Sequence, residues 1–136
     1  MEHLNILKFI DVTGVFERKI NLALNYAGLR LPHFKAIDYL EKSGKVTVSD
    51  LSRAMCVTRA TMSVLANQLI KAGVVESIEN NADKRSHYLK LTTLGLNRLK
   101  VAKEEVALVE AKISKRLSPE LVATLNEVSS MVLEEL

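Results

Sequence analysis

Tryptophan is absent from the 136 residues, aromatic side chains make up only 4% of them, and there are two prolines and a single cysteine. Few large rings means a core assembled from Leu, Val, Ile and Ala, which suits interleaved helices better than a sandwich of sheets. Cys56 has no second thiol with which to form an intramolecular disulfide. No signal-peptide pattern opens the chain and no apolar run is long enough to span a bilayer, so a cytoplasmic protein with no membrane partner is expected. His3, His33 and His87 are scattered, without ligand spacing or a thiol neighbour. No metal and no cofactor are therefore expected. A nucleophile-base pair, paired acids in a pocket-like context and a phosphate-binding loop are missing too, which argues against an enzyme.

What is present is an ordinary globular composition, 48% hydrophobic and 26% charged, with a formal net charge of +3 and a pI near 9.0. Such a balance permits a polyanionic partner without demanding one, so charge placement has to decide. From Leu4 to about Ala27, apolar residues at Leu4, Leu7, Ile10, Phe16, Ile20 and Leu24 predict one long amphipathic helix, weakened around Thr13 and Gly14. Its apolar surface is wider than one stripe, a first indication of a dimer. Leu31-Pro32 opens a second helix with Phe34, Ile37, Leu40 and Tyr39 on its buried side, ending at Ser43-Gly44. Val46 to Val48 is short and β-branched, and reads as a small strand.

Residues Ser49 to Thr92 carry the densest pattern. Ser49 is placed to cap one short helix, SDLSRAM, and Thr58 a second, TRATMSVLANQLIKAG, which Gly73 ends. In the second, Met62, Leu65 and Leu69 recur at core spacing, leaving Arg59, Ala60, Ser63, Val64 and Asn67 nearer the outside. VVESI and HYLKL have strand character, and the polar ENNADKRS between them reads as a hairpin tip with adjacent cations Lys84 and Arg85. Two helices followed by a hairpin make a winged helix-turn-helix, and a DNA groove is what such a surface suits. Beyond it, Thr92 caps a helix with a coiled-coil seam of Leu99, Ala102, Val106, Val109 and Ile113. Ser118-Pro119-Glu120 opens a last helix whose stripe is Leu121, Leu125, Val128 and Val132. The expected fold is mainly α with a small β-wing, one domain over 1–136, comprising dimerisation and supporting helices at 1–44, the winged helix-turn-helix at 45–92 and dimerisation helices at 93–136.

Within the wing, a guanidinium at Arg85 suits a narrow, electronegative minor groove; pairing with Asp83, which would orient it, is compatible with that role. Arg59, Thr61 and Ser63 lie on the first turns of the second helix, the end that reaches bases or phosphates in this motif, while Thr58 is a cap. Asn67 has the chemistry to read adenine, and Val64 to pack on a thymine methyl. Cys56 falls at the turn between the helices, where a small, partly buried filler is expected in preference to an oxidant-sensing thiol.

Taken together, Leu-Pro-x-Phe at the second helix, VTVSDLSRAM, TMSVLANQLIKAGVVE, Asp83-Lys84-Arg85-Ser86, Leu91-Thr92 with Gly95, and LSPEL resemble the MarR (multiple antibiotic resistance regulator) family of bacterial transcriptional regulators, essentially from end to end. The resemblance implies a homodimer with interlocked terminal helices, bound to a pseudo-palindromic double-stranded operator, and a repressor relieved by a small aromatic or phenolic effector. It places DNA contacts at Arg59, Ala60, Thr61, Ser63, Val64, Asn67, Lys84 and Arg85, and an effector near Tyr26, Arg30, His33 and Tyr39. The sequence departs from the family at Val64, Gln68, Ser77 and Ile78, where many members carry basic residues. Weaker binding, or compensation by Lys35, Arg53, Arg59 and Lys71, follows. The same thinned basic face is what an alternative use of the fold, as a protein-interaction or assembly module, would show.

Overall fold

The computed structural model describes residues 1–83 and 85–135. Helix α1 (Ile6–Leu24) is capped by Asn5, whose side chain accepts from the Lys8 amide at 3.0 Å. It runs through Thr13 and Gly14 without the expected weakening, the Thr13 hydroxyl donating back to the Ile10 carbonyl at 2.8 Å instead of competing for the backbone elsewhere. A short 3-10 turn, Asn25–Ala27, leads to α2 (Leu31–Ser43), whose first amide donates to Asn21 Oδ1 at 2.8 Å. Ala36, Ile37 and Leu40 of α2 are buried, and Phe34 and Tyr39 pack half-buried against the same core.

Strand β1 (Lys45–Thr47) precedes α3 (Val48–Ala54) and α4 (Arg59–Lys71), and strands β2 (Val75–Glu79) and β3 (His87–Leu91) form the wing hairpin. The antiparallel sheet has the order β1-β3-β2, with Thr47 opposite Tyr88 and Ser77 opposite Leu89. Val48 thus begins a helix rather than ending a strand. The cap of α3 is Thr47, not Ser49: Thr47 Oγ1 accepts from the Asp50 amide at 3.1 Å, and Asp50 Oδ2 accepts from the Thr47 amide at 3.2 Å, a reciprocal capping box. Pairing with β3 holds Thr47 extended up to the first helical residue, so the cap falls there.

These bonds, first the Thr47 amide and then its hydroxyl, with Arg53 also assisting, hold the Asp50 carboxyl below the usual carboxylate range. A depressed folded-state value means stability present above the ordinary range near pH 4 and lost as pH falls through the folded value. Asp50→Asn is expected to cost roughly 0.5–1 kcal/mol at pH 7, small because the site is solvent-screened. Thermal melts of the two proteins should converge at pH 2–3; a gap that persists in acid would assign the effect to packing instead.

Helix α4 ends at Gly73, whose φ of 77° lets the Val74 amide return to the Leu69 carbonyl at 3.2 Å. The turn between α3 and α4 closes in the same way, Val57 N–H to Ser52 O at 3.1 Å, with Cys56 at φ 55°. Cys56 is therefore exposed and left-handed, not the partly buried filler expected.

Helices α5 (Thr93–Ser114) and α6 (Pro119–Glu135) complete the chain, each opened by its expected cap, Thr92 accepting from Gly95 and Ser118 from Leu121, both at 3.1 Å. Lys103 of α5 reaches Glu41 at 2.6 Å and Asp38 at 3.6 Å, tying α5 to α2. The core gathers Leu24, Ile37, Leu40, Leu51, Met62 and Leu99 where α1, α2, α5 and the sheet meet α3 and α4. Of the α5 seam, Leu99 and Ala102 are buried, while Val106, Val109 and Ile113 are only half-buried. No described side chain of α6 is buried, and Leu121, Leu125, Val128 and Val132 stand 41–53% exposed. No helix among the described residues is long and apolar enough to cross a membrane.

Candidate nucleic-acid interface

Helix α4 buries Met62, Ala66 and Leu69, with Leu65 half-buried beside them. The opposite face, from 3.6-residue periodicity, carries Ala60, Val64, Asn67 and Lys71, all exposed, with Val64 at 58%. That outward face is smooth and carries one cation, Lys71. Its N-terminus is tied by Thr58, which accepts from the Thr61 amide at 3.1 Å and donates to the Thr61 hydroxyl at 2.9 Å. Thr61 is thereby part of the cap.

Arg59 and Ser63 turn sideways toward the wing. With Asn67, Ser77, Arg85 and His87 they line an open cleft of about 270 Å³ between α4 and the hairpin. Ser63, half-buried on the cleft wall, is thus less outward than its spacing suggested. The α4 residues expected at DNA therefore divide into an outward row and a cleft row. Expected Lys84 lies outside the described residues.

The wing tip is organised by two side chains. Asp83 Oδ1 accepts from the Arg85 amide at 3.0 Å and stands 3.5 Å from Arg85 Nε, so the pairing with Asp83 is present, yet the Arg85 side chain remains 94% exposed. At that exposure the ion pair is worth little, and the guanidinium is available to an incoming anion. Asn80, 8% exposed, was not singled out by the sequence pattern: its amide donates to Ser86 Oγ at 3.1 Å and its Oδ1 accepts from the Ala82 amide at 3.0 Å. An Asn opening a polar turn is the one signal that marks it. Of the compensating cations expected, Arg53 is engaged by Asp50 at 2.6 Å, whereas Lys35, Arg59 and Lys71 are exposed.

Tyr26, Arg30, His33 and Tyr39 do not together line either of the two hollows described. Tyr26 is 81% exposed, Arg30 is exposed, and Tyr39 packs on the core. Only His33 lines the hollow of about 320 Å³ on this side, where its companions are Gly28, Leu29, Gln68, Val74 and Arg98. His33 Nε2 meets Gln68 Oε1 at 2.8 Å, a direct link from α2 to α4.

A family model described as MarR family matches residues 27–86, from the end of the 3-10 turn to the far side of the wing tip. Over 83 residues, 61% of the chain, the sequence is 31% identical to the HTH-type transcriptional regulator FarR of Neisseria gonorrhoeae. The middle of the chain is thus similar to MarR-family regulators. The FarR match spans 57% of that relative's length. Two solved MarR-family structures extend the likeness of fold to the terminal helices. A MarR variant from E. coli in complex with operator DNA superposes with a TM-score of 0.86 at 23% identity, covering 96% of this chain and 94% of that one. The S. aureus MepR-DNA complex gives 0.84 at 20% identity, covering 99% and 100%. The winged helix-turn-helix of this chain is thus framed by helices laid out as in those proteins.

Proposed function

We propose that this chain is a MarR-family regulator of transcription, a homodimer that binds a specific double-stranded DNA operator. The observation that carries the reading is the alignment of the capped end of α4 with the exposed Arg85 across one open cleft, since a helix N-terminus and an exposed guanidinium on the same side suit adjacent phosphates. In this reading Ala60, Val64 and Asn67 meet base edges in the major groove, Arg59, Thr61 and Ser63 meet the backbone beside them, and Lys84 and Arg85 approach the minor groove. The DNA-bound MarR and MepR structures of the same fold support it.

Dimerisation is proposed through α1 and α6, whose apolar rows lie uncovered: Leu7 of α1 is 77% exposed and Leu125 of α6 44%. Contiguous apolar surface on this scale marks an interaction site. Two-fold symmetry then predicts operator half-sites about 10 bp apart. Leu125→Glu with Val128→Glu should give a monomer in sedimentation at micromolar concentration, with duplex affinity reduced at least about tenfold through loss of the second arm. A dimer that survives both charges would place the interface elsewhere.

The reading extends to repression relieved by a small aromatic or phenolic molecule in the hollow beside His33 and Arg98, where an anionic group would find Arg98 and would compete with the His33–Gln68 link. Selection of bound fragments from genomic DNA, repeated with phenolic ligands, tests the whole proposal. Recovery of no enriched sequence would sink it.

A further inference from the structure

Three histidines occur in the chain, and their surroundings differ. His3 precedes α1, and His33 is occupied by Gln68 at 2.8 Å. His87 is the first residue of β3 and lies directly opposite Glu79 of β2. Along β3, Leu89 and Leu91 are buried, and alternation puts His87 on their face of the sheet, the face that looks toward α4. It is exposed and lines the same cleft as Arg59 and Arg85.

We propose that His87 is a proton-linked phosphate contact of the DNA interface, taking up a proton when duplex DNA enters the cleft. This rests on the DNA-binding reading above. Among the described residues, the charged groups facing it are Arg59 from α4, Arg85 with its partner Asp83 from the wing, and Glu79 from β2; the α3 side of the cleft contributes only Thr47, Val48 and Ser49. Arg59 and Arg85 line this cleft together with His87, so a backbone phosphate drawn in by the two guanidiniums enters the cleft that the imidazole also lines. An imidazole ordinarily titrates near pH 6.5, and a phosphate oxygen next to it favours the charged, doubly donating form. The neutral ring offers that oxygen one N–H and no charge; the protonated ring offers an N–H carrying a full charge, the stronger bond. Protons and DNA therefore bind together. By linkage, the logarithm of the association constant should rise as pH falls, with a slope approaching one proton per subunit at most. Phosphate contact makes the effect independent of base sequence, so a mixed-sequence duplex serves as probe.

The experiment is fluorescence anisotropy with a labelled 30-bp mixed-sequence duplex at low salt, from pH 6.0 to 8.0, using the full chain. Wild-type protein should bind about three- to tenfold more tightly at pH 6.0 than at 8.0. His87→Gln keeps one donor and cannot titrate; it should bind at the wild-type pH 8.0 affinity throughout. His87→Lys carries a fixed charge and should bind tightly across the range. His3→Gln should retain the wild-type slope. Equal slopes in wild type and His87→Gln, or a slope removed by His3→Gln alone, would overturn the proposal while leaving DNA binding intact. Absence of binding by every protein at every pH would instead remove the DNA-binding reading, and this inference with it.

Discussion

Replacing Gly95 with alanine is expected to destabilise the protein by at least about 4 kcal/mol, the range of severe core clashes. Gly95 is buried in the first turn of α5. A Cβ there would collide with the carbonyl of Val74, and would stand 3.2 Å from Leu91 Cδ2. The carbonyl has no room to retreat. Val74 is 0% exposed, its oxygen already accepts from the Thr92 amide at 3.1 Å, and the Thr92 hydroxyl holds the adjacent Gly73 carbonyl at 2.6 Å. Side-chain repacking cannot relieve a contact with backbone, so the start of α5 must lift from the end of α4, separating the supporting helices from the wing. Urea unfolding followed by circular dichroism at fixed protein concentration measures the loss. A change under about 1 kcal/mol would show that α5 can shift without cost and that this close approach is not needed.

The second large effect is functional. Arg59→Ala combined with Arg85→Ala should weaken duplex binding by at least about 100-fold at low salt, from on the order of 1–3 kcal/mol for each contact and two copies of each in the proposed dimer. The salt dependence should flatten, because each lost phosphate contact removes roughly 0.9 from the logarithmic slope. Both side chains are exposed, so the melting temperature should stay within a few degrees of wild type. With Val64 and Gln68 on α4 where cations are common in the family, and with Arg53 engaged by Asp50, the outward face of α4 has little charge to substitute for the pair. An unchanged slope in the double variant would mean that phosphate contacts run through other cations, Lys35 and Lys71 being the exposed ones nearest in role.

Much of this architecture is legible in the amino-acid order because its signals are local. Thr58, Thr92 and Ser118 each stand just ahead of a periodic apolar run, and each caps the helix expected of it. Met62 and Leu69 fall on the buried side of α4 because a 3.6-residue period admits no other arrangement. The strands of the wing show in VVESI and HYLKL, and the turn between them in its polar residues. Cys56 departs from expectation for a physical reason too: its left-handed backbone is the conformation that Gly73 signals openly, and cysteine carries no such sign.

What the sequence alone could determine was which residues prefer which local geometry, since that depends on neighbours one to four positions away. It could not choose between Thr47 and Ser49 as the cap of α3, because the choice follows from where β1 stops pairing with β3, a contact between residues some forty positions apart. Nor could it bring His87 beside Arg59 and Arg85, or part Tyr26 and Tyr39 from His33. Those groupings exist only once the sheet has set its register against α4. Proximity across the chain is decided by packing, because burying the apolar faces fixes which polar residues are left to share a cleft.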